Sequence, residues 1–151
     1  MTDLITVRPM TVADLDTMIA HEADMFGTEA WTYEGYLDEL SLDTRYYVVA
    51  VDASGVVVGD AGLMTIAETA EIVTIGVLPR VRRQGVGRVL VRHLVERARQ
   101  LEAREVLLEV RMDNEAARSL YEAEGFSVMG VRRGYYDRGR VDAVTMRLGL
   151  R

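Results

Sequence analysis

Cysteine is absent from the 151 residues, and so is lysine: all 18 basic side chains are arginine. The first absence excludes disulfides, thiolate nucleophiles and cysteine-ligated zinc. The second excludes a nucleophilic or Schiff-base lysine. Histidine is scarce. His21 and His93 are the only two; both fall in helical patterns, where solvated or core-edge positions suit them, and no metal site is expected. No apolar run approaches the roughly 18 residues of a membrane span. The first residues have neither the basic start nor the apolar stretch of a secretion signal. A cytoplasmic, metal-free protein without membrane attachment is the expectation. With 49% apolar residues, the chain suits one domain over residues 1–151 around one core, as a monomer or weak dimer.

Charge is unevenly spread over a net −6. Residues 1–70 carry 13 acidic and 2 basic side chains; residues 71–151 carry 11 and 16. The acidic total argues against nucleic-acid binding. The basic excess begins at Arg80 and suggests a local anion site.

Residues 4–8 alternate as a first strand. Thr11 is placed to cap a helix, with Asp14 three residues on in a near-capping-box; Leu15, Met18, Ile19 and Met25 give that helix an apolar side. The pattern breaks over 26–32. A short helix is predicted over Tyr33–Leu40, with Tyr36, Leu37 and Leu40 on one side. Runs 46–51 and 56–65 are β-rich and joined by the hairpin signal Ala53-Ser54-Gly55. Residues 71–78 form a strand closed by Pro79. A long helix over 86–101 has Val89, Leu90, Leu94, Val95, Ala98 and Leu101 on one face. In the strand 105–112, Val106, Leu108 and Val110 lie on one side and Leu107, Glu109 and Arg111 on the other. A helix over 114–123 ends at Gly125. Strands 126–133 and 141–148 close the chain through Asp137-Arg138-Gly139. The order β-α-α-β-β-β-α-β-α-β-β gives an α/β (mixed α+β) domain: one mixed sheet with helices on both faces.

Arg82-Arg83-Gln84-Gly85-Val86-Gly87 lies between a strand and a helix. Gly85 and Gly87 have no Cβ and allow close backbone approach. The first helical turn leaves N–H groups unpaired and carries partial positive charge, which suits a pyrophosphate. Arg80, Arg82, Arg83 and Arg88 add charge. A turn on a solvated edge has the same composition. The nucleotide loop GxxxxGK[ST] is absent, and the third glycine of a dinucleotide fingerprint is missing.

Taken together, Ile75-Gly76-Val77-Leu78-Pro79 followed by Arg82-x-x-Gly85-x-Gly87 resembles the acetyl-CoA signature of the GNAT acyltransferase superfamily. Leu107-Leu108-Glu109-Val110-Arg111-x-x-Asn114, Ala117-x-x-Leu120-Tyr121-x-x-x-Gly125-Phe126, Arg132-Arg133-x-Tyr135-Tyr136 and Asp142-Ala143-x-x-Met146 extend the likeness to the end. These resemble the ribosomal-protein-alanine N-acetyltransferases of the RimI type. The resemblance implies a GNAT fold, with a mostly antiparallel central sheet whose fourth and fifth strands splay apart. It implies that the pantetheine arm of acetyl-CoA pairs with Ile75, Gly76 and Val77, Gly76 suiting a bulge there. It implies that the amides of Arg82, Arg83, Gln84, Gly85, Val86, Gly87 and Arg88 hold the pyrophosphate. Asn114 contacts the cofactor arm on this reading; it is equally a helix N-cap.

An α-amine has a pKa of about 8 and is mostly protonated at pH 7, so acetyl transfer needs a base. Attack on a thioester makes an oxyanion that backbone N–H groups stabilise, and the thiolate leaving group benefits from an acid. By resemblance Glu109 is the base and Tyr121, beside the cofactor sulfur, the acid. Read alone, Glu109 is a solvated strand residue and Tyr121 a core aromatic.

The family clasps its acceptor, a protein N-terminus, between the loop joining the first two helices and the last hairpin. Tyr135 and Tyr136 match the family's Tyr-Tyr pair, which strand-end packing also explains. Trp31 matches the tryptophan of the family's Phe-Pro-Trp stretch, although here Phe26-Gly27-Thr28-Glu29-Ala30-Trp31 is longer and has no proline. Glu22, Asp24, Glu29 and Glu34 in the acidic first half fit either a surface that attracts a basic peptide or, as the stronger reading of the residues alone, a plain solvated acidic face. The implied activity is direct transfer, in a ternary complex, to the N-terminal alanine of ribosomal protein S18. Acetylation of lysine or small amines, and a non-catalytic acetyl-CoA sensor, are the alternatives. A sensor needs neither Glu109 nor Tyr121. An RNA-binding module is disfavoured by the acidic balance.

Overall fold

The computed structural model describes residues 4–26 and 32–151, with the backbone alone at 24–26. The strands are β1 (Thr6–Pro9), β2 (Arg45–Val51), β3 (Val57–Ile66), β4 (Thr69–Val77), β5 (Glu105–Arg111), β6 (Ser127–Tyr136) and β7 (Val141–Gly149). The α-helices among the described residues are α1 (Leu15–Phe26), α2 (Tyr33–Leu40), α3 (Val86–Gln100) and α4 (Glu115–Ala123). Their order is the predicted one. Thr11 N donates to Asp14 Oδ2 at 2.8 Å ahead of α1, and Thr32 Oγ1 caps α2 by accepting from Gly35 N at 3.0 Å. The main differences are at strand ends. β4 begins two residues earlier than predicted because the β3–β4 turn, with Ala67 at φ 54°, carries no glycine or proline to announce it. β6 runs on to Tyr136.

All seven strands form one sheet in the order β1-β2-β3-β4-β5-β7-β6. Every adjacent pair is antiparallel except β4 and β5. That parallel pair holds register only over residues 69–72 against 105–108, after which the strands part. The outer strand β6 shifts register twice against β7, between Val128 and Gly130 and between Arg132 and Tyr136.

A bulge sits where β4 leaves β5. Gly62 faces Thr74 while Leu63 faces Ile72, so Val73 is the extra residue. The bulge expected at Gly76 is therefore not there: Gly76 pairs in regular register with Asp60. The glycine that shapes this region is Gly62, across the ladder. A Cβ on Gly62 would lie 2.1 Å from Tyr47 Cε1. Tyr47 is buried, and its hydroxyl donates to Glu39 Oε1 at 2.6 Å, so the ring cannot swing aside. Gly62→Ala is expected to cost about 3 kcal/mol, the upper end for overpacking. Thermal melting should show this as a fall in Tm of about 6–12 °C.

The two sheet faces have separate cores. On one, α3 buries Val86, Leu90, Val91, Leu94 and Ala98 against Val58, Val106 and Leu108, with Tyr121 and Phe126 in the same cluster. On the other, Met10, Leu15, Met18 and Tyr36 cover Tyr47 and Val49. Leu37 and Leu101, expected on buried faces, are exposed. Among the described residues no helix is long and apolar enough to cross a membrane.

Candidate active site

The loop before α3 is wound to present amides. Arg83 (φ 65°) and Gly85 (φ 85°) are both left-handed, and Arg82 Nε donates to Val77 O at 3.1 Å, tying the loop to the end of β4. Alternating backbone handedness of this kind makes an N–H-lined concavity that suits anions. The first intrahelical bond runs from Val89 N to Gly85 O at 3.1 Å, so the amides of Val86, Gly87 and Arg88 point beyond the helix. The Val86 side chain is buried and Arg83, Gln84 and Gly85 are exposed. Gly87 has a packing role as well: a Cβ there would lie 3.0 Å from Leu120 Cδ2 on α4. Arg88 is ion-paired with Glu124 at 3.2 Å, a carboxylate it shares with Arg92 at 2.7 Å. The donor set fits a pyrophosphate.

Beyond Ile72 and Leu108, the edges of β4 and β5 that face each other are unpaired. Ile75, Gly76 and Val77 lie along the free β4 edge, their other edge bonded to Ala61, Asp60 and Gly59. An extended, amide-bearing ligand has a backbone to pair with in this fork. Asn114 caps α4, its side-chain oxygen accepting from Ala117 N at 3.1 Å. That leaves its amide NH₂ to donate elsewhere.

Glu109 is on the half-exposed side of β5, opposite Val106, Leu108 and Val110, as the alternation requires. It accepts from Arg132 Nη1 at 3.0 Å. The Arg132 guanidinium lies 4.6 Å from the Tyr135 ring centroid, and the Tyr135 and Tyr136 rings meet edge-on at 4.9 Å. Tyr135 is exposed, and Tyr136 lies under Arg111 at 5.4 Å. Tyr121 comes from the α3–α4 face. Burial pushes its phenol up to about 12, with the neighbouring Tyr136 adding to the shift. Tyr136 packs beside Tyr135. Glu109 and Tyr121 therefore lie on opposite faces of the sheet.

Several site features were not legible in the sequence. Glu71, on β4, faces the Glu109 side; burial and then the Glu109 carboxylate raise its pKa. Arg132 was a motif letter without a role. Glu22, read as an exposed attractant, is buried and accepts from Tyr36 Oη at 2.7 Å. Glu34 is exposed as expected, whereas the Asp24 side chain, Glu29 and Trp31 lie outside the described residues. No group of three or more His, Cys, Asp or Glu is placed to hold a metal among the described residues.

Comparison with known proteins gives this geometry a family. Residues 15–126 match the acetyltransferase (GNAT) family. The chain belongs to the GNAT acetyltransferases. Among its relatives, the N-alpha-acetyltransferase RimI of Mycobacterium tuberculosis (strain ATCC 25618 / H37Rv) is 38% identical over 97% of this chain and 93% of its own length. The [ribosomal protein bS18]-alanine N-acetyltransferase of Escherichia coli (strain K12) is 36% identical over 70% of this chain and 73% of its own. The crystal structure of the ribosomal-protein-S18-alanine N-acetyltransferase from Escherichia coli superposes with a TM-score of 0.87 at 27% identity, covering 97% of this chain and 94% of that one. Ard1 from Thermoplasma volcanium superposes at 0.86 and 28%, covering 98% and 99%.

Proposed function

We propose that this acetyltransferase acetylates the N-terminal amine of a protein, with acetyl-CoA as donor and the N-terminal alanine of ribosomal protein S18 as acceptor, by direct transfer in a ternary complex. The observation that carries the reading is the fork between β4 and β5, with an anion-binding loop at its mouth and Glu109, Tyr135 and Tyr136 on the acceptor side. The relatives named for bS18-alanine acetylation support the choice of acceptor.

Bound acetyl-CoA supplies an acetyl group already activated as a thioester. The amides of residues 82–88 hold its pyrophosphate, the free β4 edge at Ile75, Gly76 and Val77 pairs with its amide-bearing arm, and Asn114 donates to that arm. Glu109 takes the proton from the acceptor ammonium, and the amine becomes nucleophilic. Tyr121, held protonated by burial, donates its O–H toward the leaving sulfur. Tyr135 and Tyr136 contact the acceptor backbone, and Trp31 the first acceptor residue.

Acetyl-CoA turnover with a peptide panel tests this. Peptides starting with the S18 alanine end should be acetylated, and blocking their N-terminus should abolish turnover. Acetylation confined to N-terminally blocked lysine peptides or free polyamines would overturn the N-terminal assignment. Cofactor binding with no turnover on any amine would point to a sensor.

A further inference from the structure

The charges on the acceptor face are matched in a particular way. In a parallel ladder, partners share a face, and Glu71 is partnered by Leu107. Glu71 therefore stands on the Glu109 side, with Glu109 one rung past the last parallel pair. Two carboxylates thus flank the point where β4 and β5 part, close enough for Glu109 to act on Glu71. The cations of the surrounding strands are mostly taken. Arg45 of β2 is held by Glu39 of α2 at 2.9 Å, Arg147 of β7 by Glu105 at 2.7 Å, and Arg111 by Asp113 and Asp137 at 3.0 and 2.7 Å. Tyr135 and Tyr136 of β6 bring aromatic rings rather than cations to this face. Arg45, on the Glu71 rung, still favours the Glu71 carboxylate from two strands away, but among the described residues the cation bonded to the carboxylate pair is Arg132, at 3.0 Å from Glu109 Oε1. Its guanidinium is steadied on the Tyr135 ring at 4.6 Å.

We propose that Glu71 and Glu109 act as one proton-accepting pair, and that Arg132 is the positioning residue whose charge keeps the pair ionised for the incoming ammonium. This rests on the N-acetyltransferase reading above. The step balances simply: one N–H proton of the acceptor ammonium moves to a carboxylate oxygen of the pair, leaving a neutral amine and a carboxylic acid. Without a nearby cation two adjacent carboxylates resist being ionised together. Arg132 therefore acts through Glu109 and sets the lowest pH at which the pair works.

The test is the pH profile of kcat/KM, which reports the free enzyme's essential groups. Arg132→Gln should move the acid limb to higher pH by about one unit. Arg132→Lys should keep it near the wild-type position, because the charge is retained. Adding Glu71→Gln to Arg132→Gln should move the limb back down, because the repelling partner is gone. An unmoved limb in Arg132→Gln, whatever happens to kcat, overturns the proposal; so does failure of the second substitution to reverse the shift. Arg132 is exposed, so these variants should fold. A carboxyl-carbon NMR titration of Glu71 gives a second readout: its midpoint should rise in Arg132→Gln and fall in Glu109→Gln. Failure of the transferase reading looks different: no amine would be acetylated, and the Glu71 titration would still decide the electrostatic assignment.

Discussion

Glutamine at position 109 is expected to lower kcat about 100- to 10,000-fold, the usual range for losing a general base, with acetyl-CoA affinity nearly unchanged. In barrier terms that is about 3–5 kcal/mol. The substitution keeps the shape of a side chain that lies on the half-exposed face of β5, and cofactor binding is expected to hold. What disappears is an acceptor for the ammonium proton. Because an α-amine of pKa about 8 is mostly protonated at pH 7, the loss should be largest near neutrality and shrink as pH rises and the substrate deprotonates itself. Tyr121→Phe serves as the companion. It keeps the edge-on packing of the ring on Phe126, 6.0 Å between centroids, and removes only the hydroxyl. Its effect should persist at high pH, since the leaving group still lacks its donor. Single-turnover rates from pH 6 to 9 separate the two. Wild-type rates in Glu109→Gln at pH 7 would move the base to another residue, Glu71 first.

Asp60→Asn is expected to stabilise the protein at alkaline pH and do little in acid. Asp60 is fully buried on β3, and its carboxyl is pushed up to about 8, chiefly by burial and then by the nearby Glu22 carboxylate. The Tyr36 hydroxyl stands between them, 2.7 Å from Glu22 Oε1 and 3.4 Å from Asp60 Oδ2. The sign follows from where the proton sits. Between pH 3.8, the ordinary value, and about 8, the folded chain keeps a proton that the unfolded chain has released. Stability is therefore full below that window and is lost as pH rises through it, at about 1.4 kcal/mol per pH unit. A neutral asparagine removes this slope. Thermal melts at pH 5 and pH 8 should show the wild-type Tm falling by several degrees per pH unit and the variant's falling less. Parallel wild-type and variant curves would mean that the site holds no such proton.

The sequence reading and the structure agree where local chemistry decides. Tyr33–Leu40 was bounded correctly because Thr32 caps it and Tyr36 anchors it. The alternation of β5 placed Glu109 on the less buried side without any tertiary information. Agreement fails where distant segments decide. How far β4 and β5 stay paired depends on the Val73 bulge, which answers to Gly62 and Tyr47 on other strands. The meeting of Glu22 with Tyr36 and Asp60 joins α1, α2 and β3, and no spacing rule connects them. Asp60 did leave a trace, as a lone acid inside the apolar run Val57-Val58-Gly59-Asp60-Ala61-Gly62-Leu63. The Arg132–Glu109 contact crosses β7 and depends on the order β5-β7-β6, which hairpin reasoning alone does not supply.

The uneven outer strand has a consequence for behaviour in concentrated solution. A sheet edge is a row of free amides and carbonyls that another sheet can zip onto. β6 exposes Val128, Met129 and Val131 as well, the composition of a sticky ribbon. Its two register shifts break that row into short pieces and twist them out of line, and the adjacent Arg132 and Arg133 place like charges wherever two such edges would meet. At the opposite margin, β1 is only four residues long and ends in Pro9. Both ends of the sheet therefore discourage fibre-like stacking, and the apolar side chains of β6 can stay exposed without seeding aggregates.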